Sequence, residues 1–241
     1  MNELEIKPIK PVTTILFFGA PAILLWAATH YGIDFVCWLF GVNDLLSWVI
    51  IGGIFYFLLF LTSLIIIKKE GTELKLHEIK KRLRLNPISK QDWEWTFIGF
   101  MLVLVLSALI VYFRYALTNQ IYTVPSFLDI KPLKPNELWI LAIWLVNFFF
   151  NVIGEEFLWR GYILTRQQLS LGKYSWLANG LLWTLFYFSF GIDMLINMLP
   201  FFFVIPFIVQ KRKNTWTGII IHAAVKGPAF IFVALSMYNF N

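Results

Sequence analysis

The sequence has few of the residues that build a soluble or cysteine-stabilised protein. Only 14% of its 241 residues are charged and 59% are hydrophobic, whereas soluble domains have about 25% charged residues. This balance excludes a soluble globular domain, and it excludes a disordered chain because disorder requires low hydrophobicity. The single cysteine, Cys37, excludes an internal disulfide, a cysteine-rich zinc site and an iron–sulfur cluster.

Long hydrophobic runs dominate what is present. A helix needs about 20 mostly apolar residues to cross a bilayer. Seven segments satisfy this requirement, at residues 12–31, 45–67, 94–117, 138–159, 174–191, 194–210 and 214–238. The sixth is short and contains Pro200 and Pro206, which are tolerated where neighbouring helices satisfy the backbone. The sequence therefore predicts an all-α, polytopic transmembrane bundle of about seven spans, with six to eight compatible with the pattern.

The distribution of basic residues predicts an orientation. With the N-terminus inside, most of the 20 Lys and Arg residues fall on the cytoplasmic side, with the largest group in the loop 68–92. This bias predicts a cytoplasmic N-terminus and an outer C-terminus. The net charge of +6 is explained by these loops, so we expect membrane lipids and no nucleic acid as partners. Residues 1–137 carry the N-terminal helices and the basic loop, residues 138–241 carry the core, and together they are expected to form one membrane domain.

Ionisable residues inside the last spans mark a candidate site, because charge in the membrane is costly and usually functional. Glu155 and Glu156 lie near the inner end of the fourth span, and Arg160 follows four residues later. His222 and Lys226, at i and i+4 in the seventh span, share one helix face. At a rise of about 1.5 Å per residue, we expect the carboxylates and the His–Lys pair to meet in one pocket open to the cytoplasm.

The same polar residues can also be interpreted as structural, through ion pairs and hydrogen bonds between helices. Arg160 can pair with Glu156 or reach the inner headgroups. Adjacent carboxylates point about 100° apart on a helix, so one is expected to face the site while the other orients or pairs with a base. The polar residues Asn147, Asn151 and Asn179 are expected to make helix–helix hydrogen bonds.

Such a group of side chains suits hydrolysis. A buried glutamate can act as a general base on water, and a histidine or another donor beside it can stabilise the oxyanion that forms at a carbonyl. A catalytic zinc site needs three protein ligands and a water, whereas the spans offer one histidine and at most two glutamates. We therefore predict no cofactor, with zinc short of ligands.

Three motifs carry a resemblance to a known family. The stretch Gly154–Gly161, with sequence GEEFLWRG, resembles the EExxxR motif of the CAAX protease and bacteriocin-processing (CPBP or Abi) family of intramembrane proteases. Thr215–Lys226 resembles the family's HxxxN segment, and Asn179–Tyr187 lies where its FxxxH motif belongs. The resemblance covers about residues 140–230 and predicts a multi-pass protein of the bacterial cytoplasmic membrane.

The resemblance also implies a reaction. It implies that Glu155 and Glu156 activate water, with His222 completing the site and Arg160 supporting it. The implied substrate is a membrane-associated peptide or protein, as in removal of the last three residues of prenylated CAAX proteins.

The sequence departs from the family pattern at both supporting motifs. Tyr187 stands where the His of FxxxH belongs and Trp183 replaces its Phe, while Lys226 stands where the Asn of HxxxN belongs. A tyrosine donates a hydrogen bond but does not exchange its proton near neutral pH. A buried Lys226 needs a carboxylate partner or must lose its charge, and pairing with a glutamate would weaken that base. Alternatively, Lys226 or Tyr187 could donate to an oxyanion.

Two functions therefore remain open. The first is an active intramembrane endopeptidase with Glu155 or Glu156 as base, His222 as partner, and Tyr187 and Lys226 as donors. The second is a family member without catalysis, acting as a scaffold, immunity or partner-binding protein, in which these glutamates, Lys226 and Tyr187 form a structural lock. A transporter or channel is a third reading, disfavoured because the sequence shows no broken helices repeated in two matching halves.

Overall fold

The chain folds as a bundle of helices. The computed structural model describes residues 6–121, 124–125, 127–128 and 131–235, and within these residues it contains no strand. The all-α class predicted from the sequence is confirmed. The α-helices, in chain order, are α1 (Pro11–Ala27), α2 (Ile33–Phe40), α3 (Asp44–Lys69), α4 (Leu76–Arg82), α5 (Lys90–Thr118), α6 (Ile140–Glu155), α7 (Thr165–Leu171), α8 (Ser175–Phe186), α9 (Ile192–Asn197), α10 (Leu199–Arg212) and α11 (Thr215–Ala234).

Two π-helical and three 3₁₀ segments complete these elements. The π-helical segment Ala28–Gly32 joins α1 to α2, and a second, Glu156–Leu164, joins α6 to α7. The 3₁₀ turns are Pro135–Glu137, Gly172–Tyr174 and Tyr187–Phe190.

The described helices include stretches long and apolar enough to cross a membrane. The five stretches that meet this criterion are Pro11–Phe40, Asp44–Lys69, Lys90–Thr118, Ile140–Phe190 and Thr215–Ala234. Ile140–Phe190 contains the fourth and fifth predicted spans, and α10, at the sixth, has only 14 residues. The protein is thus an integral, multi-pass membrane protein. The count of seven spans and the cytoplasmic N-terminus stay predictions, and residues 236–238 of the last predicted span lie outside the described residues.

Local sequence signals set the ends of the long helices. The Asn43 side chain accepts a hydrogen bond of 2.9 Å from the Leu46 amide and begins α3. At the start of α5, Ser89 and Asp92 form a capping box in which each side chain binds the other's backbone amide. Gly41 ends α2 in the left-handed conformation, with φ of 63°.

The two glutamates lie where helices approach each other most closely. Along its length α6 packs on α3, and α10 lies between α5, α8 and α11. Position 154 faces the backbone of α3, since a Cβ atom there would lie 2.6 Å from the Tyr56 carbonyl oxygen. Glycine at this position therefore allows α6 to deliver Glu155 and Glu156 into the centre of the bundle.

The basic loop 68–92 contains α4 and a buried segment, residues 83–85. Leu83 and Leu85 are buried, and the hydroxyl of Thr215 donates a hydrogen bond of 2.6 Å to the Leu83 carbonyl. The Thr215 amide donates to the Arg84 carbonyl at 2.9 Å. This segment therefore covers the N-terminus of α11, on the side that we predict to be cytoplasmic.

Candidate functional site

Glu155 and Glu156 lie at a change of helix type. Glu155 is the last residue of α6, and Glu156 begins the nine-residue π-helical segment. Both side chains are fully buried, as are Arg160 and His222. π-helical insertions into α-helices are frequent at functional sites. Here the change of helix type accompanies two adjacent carboxylates that have separate sets of partners.

Glu155 is held by three donors from α6, α8 and the following 3₁₀ turn. Its Oε1 atom accepts hydrogen bonds from the Tyr187 hydroxyl at 2.8 Å and the Asn151 amide at 2.9 Å. Its Oε2 atom accepts from Trp183 Nε1 at 2.7 Å. Both oxygens of Glu155 are therefore engaged, and its position is fixed.

Glu156 faces α11 instead. Its Oε1 atom lies 2.9 Å from His222 Nδ1, and its Oε2 atom lies 3.7 Å from Arg160 Nε. Oε2 makes no hydrogen bond with any residue that the structure describes. A Cβ atom at Gly218 would lie 2.6 Å from Oε2, so α11 approaches Glu156 this closely only because position 218 lacks a side chain.

Arg160 and His222 also keep unused hydrogen-bonding capacity. The Arg160 guanidinium lies 3.3 Å from the centre of the Trp183 ring, a cation–π contact. Among the described residues, none of its three nitrogens has a hydrogen-bond partner, and neither does His222 Nε2. Glu156, Arg160 and His222, referred to below as the Glu156 site, therefore form a fully buried group with several unpaired polar atoms.

Lys226 forms no ion pair with a described residue, so the direct pairing with Glu155 or Glu156 that one interpretation of the sequence expected is wrong. The charge of Glu155 still acts on the ammonium group from beyond ion-pair distance. Its Nζ atom lies 3.6 Å from Met198 Sδ and 4.7 Å from the centre of the Tyr187 ring. The same tyrosine binds Glu155 through its hydroxyl. Neutral and aromatic neighbours thus surround the ammonium group that was expected to meet a carboxylate.

A cavity of about 180 Å³ lies beside this lysine. Lys226, Tyr187 and Asn151 contribute to its wall, and Glu155, Glu156 and His222 do not. Pro125 and Leu128, from the segment that we predict outside the membrane, also line it. In the predicted orientation, the cavity thus lies toward the outer side, whereas the sequence predicts a pocket open to the cytoplasm.

The His, Cys, Asp and Glu side chains are the residues that could bind a metal ion at this site. Among the described residues, no three His, Cys, Asp or Glu side chains are grouped closely enough to hold a metal ion. In the Glu156 site one carboxylate meets one imidazole, while Glu155 is turned toward Trp183 and Tyr187. The absence of a cofactor stays a prediction from the sequence.

Two features of this arrangement were not predicted from the sequence, the contact of Asn151 with Glu155 in place of a bond to another helix and the role of Gly218 beside Glu156. Asn151 donates to Glu155 from four positions earlier on α6, and Gly218 lies four positions before His222 on α11. Residues four apart share a helix face. That spacing was the available signal, since each of these two residues lies one turn from a residue that the motifs single out.

A comparison with protein-family models supports the resemblance. Residues 137–227 match the Rce1-like family model, described as type II CAAX prenyl endopeptidase Rce1-like. The matched region contains Glu155, Glu156 and Arg160 together with the segment of His222 and Lys226. The search of curated proteins and the search of solved structures gave no match. Residues 137–227 of this integral membrane protein are therefore similar to the Rce1-like family, described as type II CAAX prenyl endopeptidase.

Proposed function

We propose that the protein is an intramembrane endopeptidase in which Glu156 activates water for attack on a peptide bond. The observation that supports this most strongly is the 2.9 Å contact between Glu156 Oε1 and His222 Nδ1. This contact fixes the carboxylate and the imidazole while Glu156 Oε2 and His222 Nε2 have no partner among the described residues. A base and a donor with free atoms on adjacent side chains are what hydrolysis by general-base catalysis requires.

Glu155 acts as a positioning residue in this proposal. Because its two oxygens already accept from Tyr187, Asn151 and Trp183, it has fewer positions free for a water molecule than Glu156. Its hydrogen bond with Nε1 fixes the Trp183 ring, and the Arg160 guanidinium lies over that ring. The base is therefore assigned to Glu156 rather than to its neighbour.

His222 has two roles in the proposed reaction, which requires it to donate from both ring nitrogens. Nδ1–H binds Glu156 Oε1 across the 2.9 Å contact. Nε2–H, which has no partner among the described residues, is left to bind an oxyanion.

The reaction follows from these assignments. Glu156 Oε2 takes a proton from water while the water oxygen bonds to the carbonyl carbon of the peptide. His222 Nε2–H and Arg160 stabilise the oxyanion that forms. When the C–N bond breaks, the proton held by Glu156 passes to the departing nitrogen, which leaves as an amine.

The substrate class follows from the family description, which names a prenyl endopeptidase. We propose a membrane-associated peptide or protein with its cleavage site near its C-terminus. To test this, the full chain is placed in lipid nanodiscs with peptides that end in a prenylated cysteine and three further residues. Mass spectrometry then detects the released fragments, and unprenylated peptides of the same sequence measure the contribution of the lipid.

The decisive variant is Glu156→Gln, with Glu94→Gln as its matched control because Glu94 is an exposed glutamate of α5. We expect Glu156→Gln to lower cleavage by about 10²–10⁴-fold, as removal of a general base does, and Glu94→Gln to leave it unchanged. Equal cleavage by the wild type and by Glu156→Gln would show that Glu156 is not the base.

A protein without catalysis is the second candidate, and one observation favours it. Glu155, Glu156 and His222 are all fully buried, so water and substrate reach them only after side chains move. This candidate predicts that the wild type cleaves none of the peptides and that Glu156→Gln lowers the melting temperature. The Glu–Lys part of the expected lock is not formed, because Lys226 makes no ion pair with a described residue.

A further inference from the structure

The cavity beside Lys226 has walls that are almost entirely apolar. Trp144 stacks on Phe230 with ring centres 4.6 Å apart, and Trp48 meets Phe190 edge to face at 5.3 Å. All four rings line the cavity. Its volume of about 180 Å³ exceeds the roughly 150 Å³ of an engineered apolar cavity that binds benzene. The cavity therefore has room for a large apolar side chain or a short stretch of alkyl chain.

Lys226 is the only basic residue in this wall among the described residues. Its Nζ atom contacts Met198 Sδ at 3.6 Å and lies 4.7 and 5.4 Å from the ring centres of Tyr187 and Phe201. A thioether and two ring faces stabilise an ammonium ion weakly. None of them carries a negative charge, and Glu155, the carboxylate whose charge acts on this lysine, lies beyond ion-pair distance. The ammonium group therefore lacks, among the described residues, the direct anionic partner that charged groups within a membrane usually have.

The two family positions that this sequence changes meet at the cavity. Tyr187 and Lys226 contact each other and both line it, whereas Glu156, Arg160 and His222 do not. The residues that line the cavity and the residues of the Glu156 site are therefore separate sets.

We propose that this cavity is a binding site for an apolar molecule that ends in a single carboxylate, with Lys226 as the residue that binds the carboxylate. The C-terminus of a peptide with an apolar last residue and a fatty acid both have this chemistry. The site goes beyond the proposed hydrolysis and does not depend on it, since no residue of the Glu156 site lines the cavity.

The other polar groups of the wall favour a single negative charge over a phosphate. Asn147 donates to the Val49 carbonyl at 2.8 Å, and Asn151 donates to Glu155 at 2.9 Å. The Tyr187 hydroxyl also donates to Glu155. One ammonium group is thus the main donor available to a ligand, whereas a phosphate is usually held by several charged or backbone donors.

Binding to the wild-type protein tests the proposal directly. The full chain in phosphatidylcholine nanodiscs is titrated by calorimetry with N-acetyl-leucyl-leucine and with decanoate, and empty nanodiscs correct for partition into lipid. The matched neutral probes are the C-terminal amide of the peptide and decanol. We expect at least one acid to bind about tenfold or more tightly than its neutral analogue.

Variants then assign the preference to Lys226. Lys226→Met removes the charge and is expected to abolish the preference for the acid, while Lys226→Arg retains it. Lys211→Met is the matched control, because Lys211 is an exposed lysine that lies 4.5 Å from the Trp95 ring centre, away from the cavity. We expect this control to keep the wild-type preference.

Each outcome decides the proposal. A stronger preference for the peptide acid identifies a peptide terminus as the occupant, and one for decanoate identifies a fatty acid. Equal binding of acid and neutral probes by the wild type would overturn the site, even if Lys226→Met fails to fold. A preference that survives in Lys226→Met, or tighter binding of octyl phosphate than of both acids, would also overturn it. Measuring Glu156→Gln in parallel separates this site from catalysis, since binding is expected to persist in that variant.

Discussion

Two glutamate–arginine groups in this protein differ in how completely their atoms are paired. One is the Glu156 site, which is fully buried. The other lies at the C-terminal end of α3, is formed by Glu70, Arg82, Tyr162 and Arg166, and is called here the Glu70 cluster; its glutamate is partly buried. Arg160 lies 3.3 Å from the Trp183 ring centre, and Arg166 lies 3.5 Å from the Tyr162 ring centre. Both groups therefore combine a glutamate with an arginine that lies over an aromatic ring.

Every oxygen of Glu70 has a partner. Oε1 accepts from the Tyr162 hydroxyl at 2.7 Å and from Arg166 Nε at 3.2 Å. Oε2 accepts from Arg82 Nη2 at 2.6 Å and from Arg166 Nη2. Burial alone would raise the pKa of Glu70, but the hydrogen bonds from Tyr162, Arg166 and Arg82 outweigh it and lower the pKa.

The Glu156 site has the opposite character. Arg160 makes no hydrogen bond with a described residue, and Glu156 Oε2 and His222 Nε2 are equally without one. Unpaired buried polar groups destabilise a fold and need an explanation. The pairing of Glu70 is that of a group that stabilises the fold, whereas the Glu156 site keeps polar atoms unpaired, as the proposed reaction requires.

The largest effect that would sharpen this contrast is expected from Gly218→Ala. The added Cβ atom would lie 2.6 Å from Glu156 Oε2, so the carboxylate has to move. Displacement by about 1 Å can lower turnover about a hundredfold. Gly19→Ala, in open space on α1, is the control and should leave turnover unchanged. Full peptide cleavage by nanodisc-embedded Gly218→Ala would contradict the role given to Oε2.

The next effect concerns stability and tests the Glu70 cluster. Glu70→Gln leaves Arg82 and Arg166 without their carboxylate, which should lower the free energy of unfolding by about 2 kcal/mol. Glu73→Gln is the control, since Glu73 is exposed and binds only Lys75, and should leave the melting temperature unchanged. Equal melting temperatures for Glu70→Gln and the wild type near neutral pH would contradict the stabilising role.

The lowered pKa of Glu70 gives this stabilisation a pH dependence. The contribution is fully present above about pH 4.3, where a glutamate titrates in the unfolded chain. It is lost as the pH falls through the lower value of the folded state. The difference in melting temperature between the wild type and Glu70→Gln should therefore be constant near neutral pH and shrink below about pH 4. A constant difference throughout would show that the carboxylate charge is not responsible.

The smallest effect is expected from two matched tyrosine variants. Tyr187 donates to Glu155 at 2.8 Å and Tyr162 donates to Glu70 at 2.7 Å, and each glutamate keeps other donors. Tyr187→Phe and Tyr162→Phe should each lower the free energy of unfolding by about 1 kcal/mol. Only Tyr187→Phe should also reduce peptide turnover, because it acts near the Glu156 site. Similar turnover in both variants would remove the distinction between the two regions.

Composition and motif spacing were sufficient to predict the helical membrane fold and some of the contacts near the glutamates. The i+4 spacing predicted the Glu156–Arg160 pair, which the structure shows at 3.7 Å. Asn147 and Asn179 make the expected bonds to neighbouring segments, at 2.8 Å to Val49 and 3.1 Å to Trp159. Spacing along one helix is fixed by the helix geometry, so the sequence alone can predict a contact such as that between Glu156 and Arg160.

The partners of Lys226 could not be predicted in the same way. Its depth in the last span indicated a carboxylate partner, but the direction of a long side chain depends on the neighbouring helices. In the structure, Met198 and Tyr187 occupy its surroundings, and Glu155 is engaged by Tyr187, Trp183 and Asn151. The Glu70 cluster was missed for a similar reason. Its hydrogen bonds join Glu70 to Tyr162 and Arg166, which follow it in the chain by 92 and 96 positions.

The most direct test measures turnover and stability together for Glu156→Gln and Glu70→Gln in nanodiscs. Peptide cleavage per folded molecule and melting temperature are determined for both variants and for the wild type. We predict that Glu156→Gln loses cleavage by about 10²–10⁴-fold with little change in melting temperature, and that Glu70→Gln loses stability while each folded molecule keeps its turnover. If Glu156→Gln lost stability but kept its cleavage activity, this result would contradict the assignment of catalysis to the Glu156 site and of stabilisation to the Glu70 cluster.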